Sequence, residues 1–182
     1  MKRRASAAKL CRMKKEKKSK DKSASKLAKK AHKSLAQGAK PKKAPDHHDA
    51  ELVLRLYDLR REPVMRESRD AIAKFFPRTY EELFALTKPD HPHNAAWRQV
   101  SSYFEMAYGF ARHGVMHPDF LAENTGEGLY LFAKVHPHLE RLRADTSPTA
   151  FANAEWLVDH SPSAALRLEL FKKRIAKVLA GS

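Results

Sequence analysis

The sequence has one cysteine, Cys11, in 182 residues, only six glycines, and no run of the roughly 18 uncharged apolar residues that a spanning helix needs. A lone thiol closes no intramolecular disulfide and supplies no cysteine-rich zinc module. The lysine-rich start lacks the apolar stretch of a secretory signal, so a soluble, cytoplasmic protein with no membrane contact is expected. No segment alternates apolar and polar residues with a period of two, which leaves nothing from which to build a sheet. Aromatics are missing from the first 45 residues; all Phe, Tyr and Trp lie from Tyr57 onward.

What is abundant is positive charge, unevenly placed. The chain carries 36 Lys and Arg against 21 Asp and Glu, a formal +15. Residues 1–45 hold 18 of those cations against Glu16 and Asp21 alone, a balance of +16, whereas residues 46–182 set 18 cations against 19 carboxylates, a balance of −1. Large apolar side chains in the first segment are confined to Met1, Leu10, Met13, Leu27 and Leu35. They cannot bury enough surface to offset the entropy of ordering the segment. Residues 1–45 are therefore expected to be a disordered, Lys/Ala-rich basic tail ending in the Pro41 to Pro45 stretch. Residues 46–182 suit one domain that buries about two-thirds of its unfolded surface.

Proline divides that domain into helices. Asp49 is placed to cap a first helix through Arg61, with Leu52, Leu56 and Leu59 at helical spacing. Pro63 opens a second that ends at Phe76-Pro77, and Thr79 with Glu82 has capping-box spacing for a short third. After a loop over 88–93, the longest helix runs from Asn94 to His113, with Trp97, Val100, Phe104, Tyr108 and Ala111 on one face and Gly114 at its end. Pro118 to Glu123 is a short helix and Asn124 to Gly128 a turn. Leu129 to Ala144 is helical in pattern but must break at Pro137. Ser147-Pro148 and Ser161-Pro162 each have the form of a cap followed by a first-turn proline. The expected fold is all-α, a compact bundle of about seven or eight helices behind the tail.

The patterns Leu54-Arg-Leu-Tyr-Asp-Leu-Arg-Arg61, Ser101-Ser-Tyr-Phe-Glu-Met106 and Asn124-Thr-Gly-Glu-Gly128-Leu-Tyr-Leu-Phe-Ala-Lys resemble those of a group of small, uncharacterised bacterial helical domains. The likeness covers residues 49–145 and implies a helical fold without implying an activity. In the tail, Ala28-Lys-Lys-Ala31 and Ala39-Lys-Pro-Lys-Lys-Ala-Pro45 resemble, in composition, the Lys/Ala/Pro tails of linker histones and lysine-rich nucleoid proteins.

Nine of the ten histidines lie beyond the tail. His91-Pro-His93 and His136-Pro-His138 repeat one tripeptide whose two imidazoles can face one metal. His113 and His117 would share a helix face, with Asp119 and Glu123 as oxygen donors. No H-E-x-x-H or comparable spacing accompanies them, so no metal or other cofactor is expected. Arg112 and His117 have the Arg-x4-His spacing of some helical ribonucleases, although Gly114 between them marks a helix end. Glu105, among aromatics, is a candidate acid or base if buried, but its position about 100° from Phe104 around the helix favours an outward direction. Glu127, between two glycines, suits either a mobile catalytic loop or a solvated turn. No Ser/His/Asp or Cys/His nucleophile pattern and no Gly-rich phosphate loop is present.

The tail offers Lys14, Lys15, Lys17, Lys18, Lys29, Lys30, Lys40, Lys42 and Lys43 to the phosphate backbone of DNA or RNA, by charge and without base reading. The expected function is an accessory nucleic-acid-associated protein, nucleoid-associated in location, with a helical domain of unassigned role that contributes little affinity at −1. Two alternatives stand beside it. One is a helical hydrolase or ribonuclease-like enzyme using His, Arg and Glu. The other is a protein-interaction domain whose tail maintains solubility or, through Lys14-Lys-Glu-Lys-Lys18, directs localisation.

Overall fold

A computed structural model describes residues 40–181, which belong to one compact unit. The order expected of most of the tail concerns residues 1–39, outside the described residues. The elements are α1 (His47–Arg61), α2 (Pro63–Lys74), α3 (Tyr80–Ala85), α4 (Asn94–Arg112), α5 (Pro118–Asn124), α6 (Gly126–Val135), a 3-10 turn (His136–His138), α7 (Leu139–Asp145), α8 (Ala152–His160) and α9 (Pro162–Ala180). The fold is all-α, with no strand among the described residues. Counting α6, the turn and α7 as one helix broken at Pro137 gives the expected eight.

Helix α4 is the centre. Its buried face, Trp97, Val100, Phe104, Ala107, Tyr108 and Ala111, repeats every three or four residues, and α2 and α8 pack against it. Helix α9 lies on α6 and α8 and covers the remaining side of the core. Truncating a side chain such as Phe104, 2% exposed, would cost about 3–5 kcal/mol. The turn after α4 depends on Gly114. Its φ of 72° lets the chain reverse so that the Val115 and Met116 amides donate to the Phe110 carbonyl, closing the helix end.

A second glycine sets how closely helices approach. Gly128, in α6, faces α4, and a Cβ there would sit 2.5 Å from the Phe104 ring and against the Tyr108 hydroxyl. The Tyr108 hydroxyl donates to the Thr125 carbonyl at 2.8 Å, joining the start of α6 to the middle of α4. Burial pushes that phenol far up.

Three local expectations need correction. The cap of α1 is Asp46, whose carboxylate accepts from the His48 and Asp49 amides, while Asp49 reaches back to the Asp46 amide; Asp49 is the buried third residue of a capping box. Ser147-Pro148 starts a turn and not a helix. Helix α8 begins at Ala152, after Phe151 in a left-handed conformation (φ 55°), because its capping group comes from elsewhere in the chain. Finally, the Asn124 to Gly128 segment is not a turn. Helix α5 runs into it and α6 starts within it.

Candidate functional site

The start of α6 is the most densely tied point of the surface. Thr125 places no side-chain hydrogen bond on the helix, so the first-turn amides leave a positive end, and Glu127 sits in that turn. Arg60 of α1 donates to the Glu127 carboxylate at 2.6 Å, and Arg69 of α2 at 2.7 and 2.8 Å. Arg69 also donates to the Arg60 carbonyl, and the Arg60 guanidinium lies 4.8 Å from the centre of the Tyr57 ring. Neither the mobile loop nor the solvated turn expected for Glu127 is present. Both its oxygens are occupied, and it joins three helices.

Lys134, one helical face further on, is 6% exposed. Its ammonium donates to the carbonyls of Ile72, Ala73 and Phe75 at 2.8–3.0 Å, which are the open acceptors at the end of α2. The rings of Phe76 and Tyr130 flank it. Burial pulls this lysine down to about 8, while three carbonyl dipoles and two ring faces act to keep it charged. It closes a helix end.

Glu105 turns inward. Its carboxylate accepts the amides of Asn153 (3.1 Å) and Ala154 (2.9 Å), capping α8 from α4. Burial raises its proton affinity, and those two amides act against the rise. Arg112, 4% exposed, donates to the Asn153 side-chain oxygen at 3.0 Å, and its Nε is buried with no hydrogen-bond partner. His117 is instead the cap of α5, its Nδ1 accepting from the Phe120 amide and its own amide donating to Asp49. Arg112 and His117 thus have separate partners on separate helices.

The histidine pairs are occupied locally. His91 Nδ1 accepts the His93 amide, and the His91 ring stands edge-on to Phe75. His136 packs on Phe132, and His138 on Tyr80. Asp119 accepts from Ser161 and the Ser163 amide, and Glu123 from the Ser163 hydroxyl. Burial pushes Asp119 up, but these donors outweigh it and lower its pKa. Among the described residues no group of three or more His, Cys, Asp and Glu comes together to hold a metal. Nor is any helix there long and apolar enough to cross a membrane.

Of the tail lysines, Lys14, Lys15, Lys17, Lys18, Lys29 and Lys30 lie outside the described residues. Lys40 and Lys43 are exposed. Lys42 is engaged by the domain, pairing with Asp46 at 2.8 Å and with the fully buried Asp49 at 3.0 Å. It neutralises the capping box of α1, so it is removed from the phosphate-binding set.

An open groove of about 790 Å³ runs along the start of α4, lined by Arg98, Ser102 and Glu105 on one side and by Thr149 and Phe151 on the other. A second hollow of about 440 Å³ adjoins it at Trp97 and Arg98. The single family model that fits this architecture, described as Domain of unknown function (DUF4760), matches residues 45–161. The chain belongs to that family. No curated protein and no solved structure matched. The DUF4760 match spans α1 to α8 and agrees with the resemblance to uncharacterised helical domains seen in the sequence. Residues 1–44 and helix α9 lie outside it.

Sequence reasoning passed over Arg60, Arg69, Lys134 and Asn153, although each organises a buried junction. Their partners stand 41 to 67 residues away, so no local pattern marks them. The one legible signal was charge: an arginine or lysine inside an apolar helical stripe implies a partner.

Proposed function

We propose that this protein is an accessory nucleic-acid-associated protein whose basic N-terminal segment holds DNA or RNA through phosphates, in the cytoplasm or on the nucleoid. The observation that carries the reading is the segregation of charge, +16 over residues 1–45 against −1 for the rest. Polycations bind nucleic acid by releasing condensed counterions, which needs neither a fold nor a base-reading helix. The domain's interior cations support this division. Arg60, Arg69, Arg112, Lys134 and Arg143 are each committed to a protein partner and are not available to phosphate.

The test is binding of two unrelated duplexes across a salt series, followed by fluorescence anisotropy. If about 6 to 10 cations reach phosphates together, affinity falls roughly a thousandfold to a hundred-thousandfold between 50 and 200 mM salt, equally for both duplexes. A chain starting at residue 40, which keeps Lys42, should lose most of the affinity. A strong preference for one duplex, or no loss on truncation, would overturn the reading.

A further inference from the structure

The domain's near-zero charge conceals a second division. Within residues 46–161 there are 13 Lys and Arg against 18 Asp and Glu, a balance of −5. Residues 162–182 carry Arg167, Lys172, Lys173, Arg174 and Lys177 against Glu169 alone, a balance of +4. All five cations fall in α9, which lies beyond the family match. The acidic family domain is thus followed, as it is preceded, by a basic segment, and this one is folded.

The structure shows which of these charges are free. Glu169 is taken by Lys172 at 2.9 Å. Lys173, Arg174 and Lys177 are exposed and have no ion-pair partner among the described residues, and Arg174 lies 5.6 Å from the centre of the Tyr130 ring. Glu123, the carboxylate hydrogen-bonded to α9 at Ser163, is at the helix's other end. The apolar stripe of α9, Ala164, Leu168 and Ile175, is buried in the core. Three cations within five residues therefore project from a rigid helix at its C-terminal half.

We infer that the exposed basic face of α9, Lys173, Arg174 and Lys177, is a second, folded contact for nucleic-acid phosphates. The inference rests on the nucleic-acid reading above and assigns the helical domain a part in it. Charge complementarity selects the partner. An anionic membrane is the competing surface, but interfacial helices bury an apolar face in lipid, and that of α9 is already spent on the protein, leaving only Leu166 and Leu170 outward. Phosphates need no such face.

The experiment uses the full chain. Lys173→Ala, Arg174→Ala and Lys177→Ala are combined in one variant, and Arg55→Ala, Arg61→Ala and Arg66→Ala, exposed on α1 and α2, in a control that removes the same charge. Circular dichroism verifies the fold of both. Anisotropy on a 30-base-pair duplex should show the α9 variant weakened about tenfold or more at 50 mM salt, with its salt slope shallower by about 2 and the control changed much less. Equal losses in both variants would reduce the effect to net charge and overturn the assignment. An α9 variant that binds as the parent does would overturn it while leaving the role of the N-terminal segment intact. No binding by the parent would remove both readings. Phosphatidylglycerol vesicles form the last arm: loss of vesicle binding with duplex binding retained would give the face to lipid.

Discussion

Glu105 and Asn153 hold each other from both ends: the Glu105 carboxylate accepts the Asn153 amide, and the Asn153 side-chain amide donates to the Glu105 carbonyl at 2.9 Å. Because Asn153 also accepts from Arg112, this one residue fixes the angle between α4 and α8. Asn153→Ala should leave the Arg112 guanidinium and the Glu105 carbonyl short of a partner, at about 2–3 kcal/mol. Urea denaturation at neutral pH measures it, and a midpoint equal to that of the parent would refute the role.

The same pair gives a pH dependence with a defined sign. Burial raises Glu105 above its unfolded value, so the stability linked to its protonation is fully present below about pH 4.5 and declines as pH rises through the folded value. Asp46, held down to about 2 by Lys42, and Asp119 have lowered values and act in the opposite direction. The informative quantity is the difference between parent and Glu105→Gln from pH 4 to 7. The parent should lose stability relative to the variant as pH increases, and a flat difference would contradict this.

Glu127 should behave as a tie. Glu127→Ala leaves Arg60 and Arg69, both largely shielded from solvent, facing each other without an anion, and should cost about 2–3 kcal/mol, reduced from the fully buried case by partial solvent access. In a double-mutant cycle with Arg69→Ala the two losses should be strongly non-additive. Additive losses would show that the carboxylate acts alone.

Lys134→Met fills the space but leaves three carbonyls at the end of α2 without their donor, and should lower stability by about 2–3 kcal/mol. The lysine is depressed to about 8 in the folded chain, so the unfolded chain holds the proton more tightly between about pH 8 and 10.5. Across that window this residue's contribution makes the parent more stable as pH rises, and the variant lacks the trend. Thermal unfolding of both proteins at pH 7.5 and 10 tests the sign.

Gly128→Ala should destabilise by about 3 kcal/mol or more, because the new methyl meets the Phe104 ring on a backbone that α4 holds in place. Calorimetry should register a fall in Tm of several degrees or more.

How much of this was legible in the sequence follows from distance along the chain. Pro63, Pro118, Pro162 and Gly114 fixed helix ends correctly because each acts on its own backbone. The α1 cap was misplaced by three residues because a capping box is reciprocal and two aspartates at that spacing offer either choice. Ser147-Pro148 misled for the opposite reason. Its local signal was sound, but Glu105 supplies the cap of α8 from 48 residues upstream, so the helix starts at Ala152. Glu127 looked like a loop residue because glycine on either side suggests freedom, and only the arginines of α1 and α2 convert that segment into a helix start. The charge of the tail was plain from composition, but the basic face of α9 was averaged away in the domain total.

The junction at Glu127 also bears on how the chain is made. Arg60 and Arg69 meet their carboxylate 67 and 58 residues later, and the end of α2 waits equally long for Lys134. At roughly 5–20 residues per second, α1 and α2 leave the ribosome several seconds before α6 has been synthesised. Throughout that interval the apolar sides of Leu56, Met65 and Ile72 have no α4 or α6 to cover them. A nascent chain halted between residues 75 and 125 would present this uncovered pair of helices to chaperones, and release of that surface coincides with completion of α6.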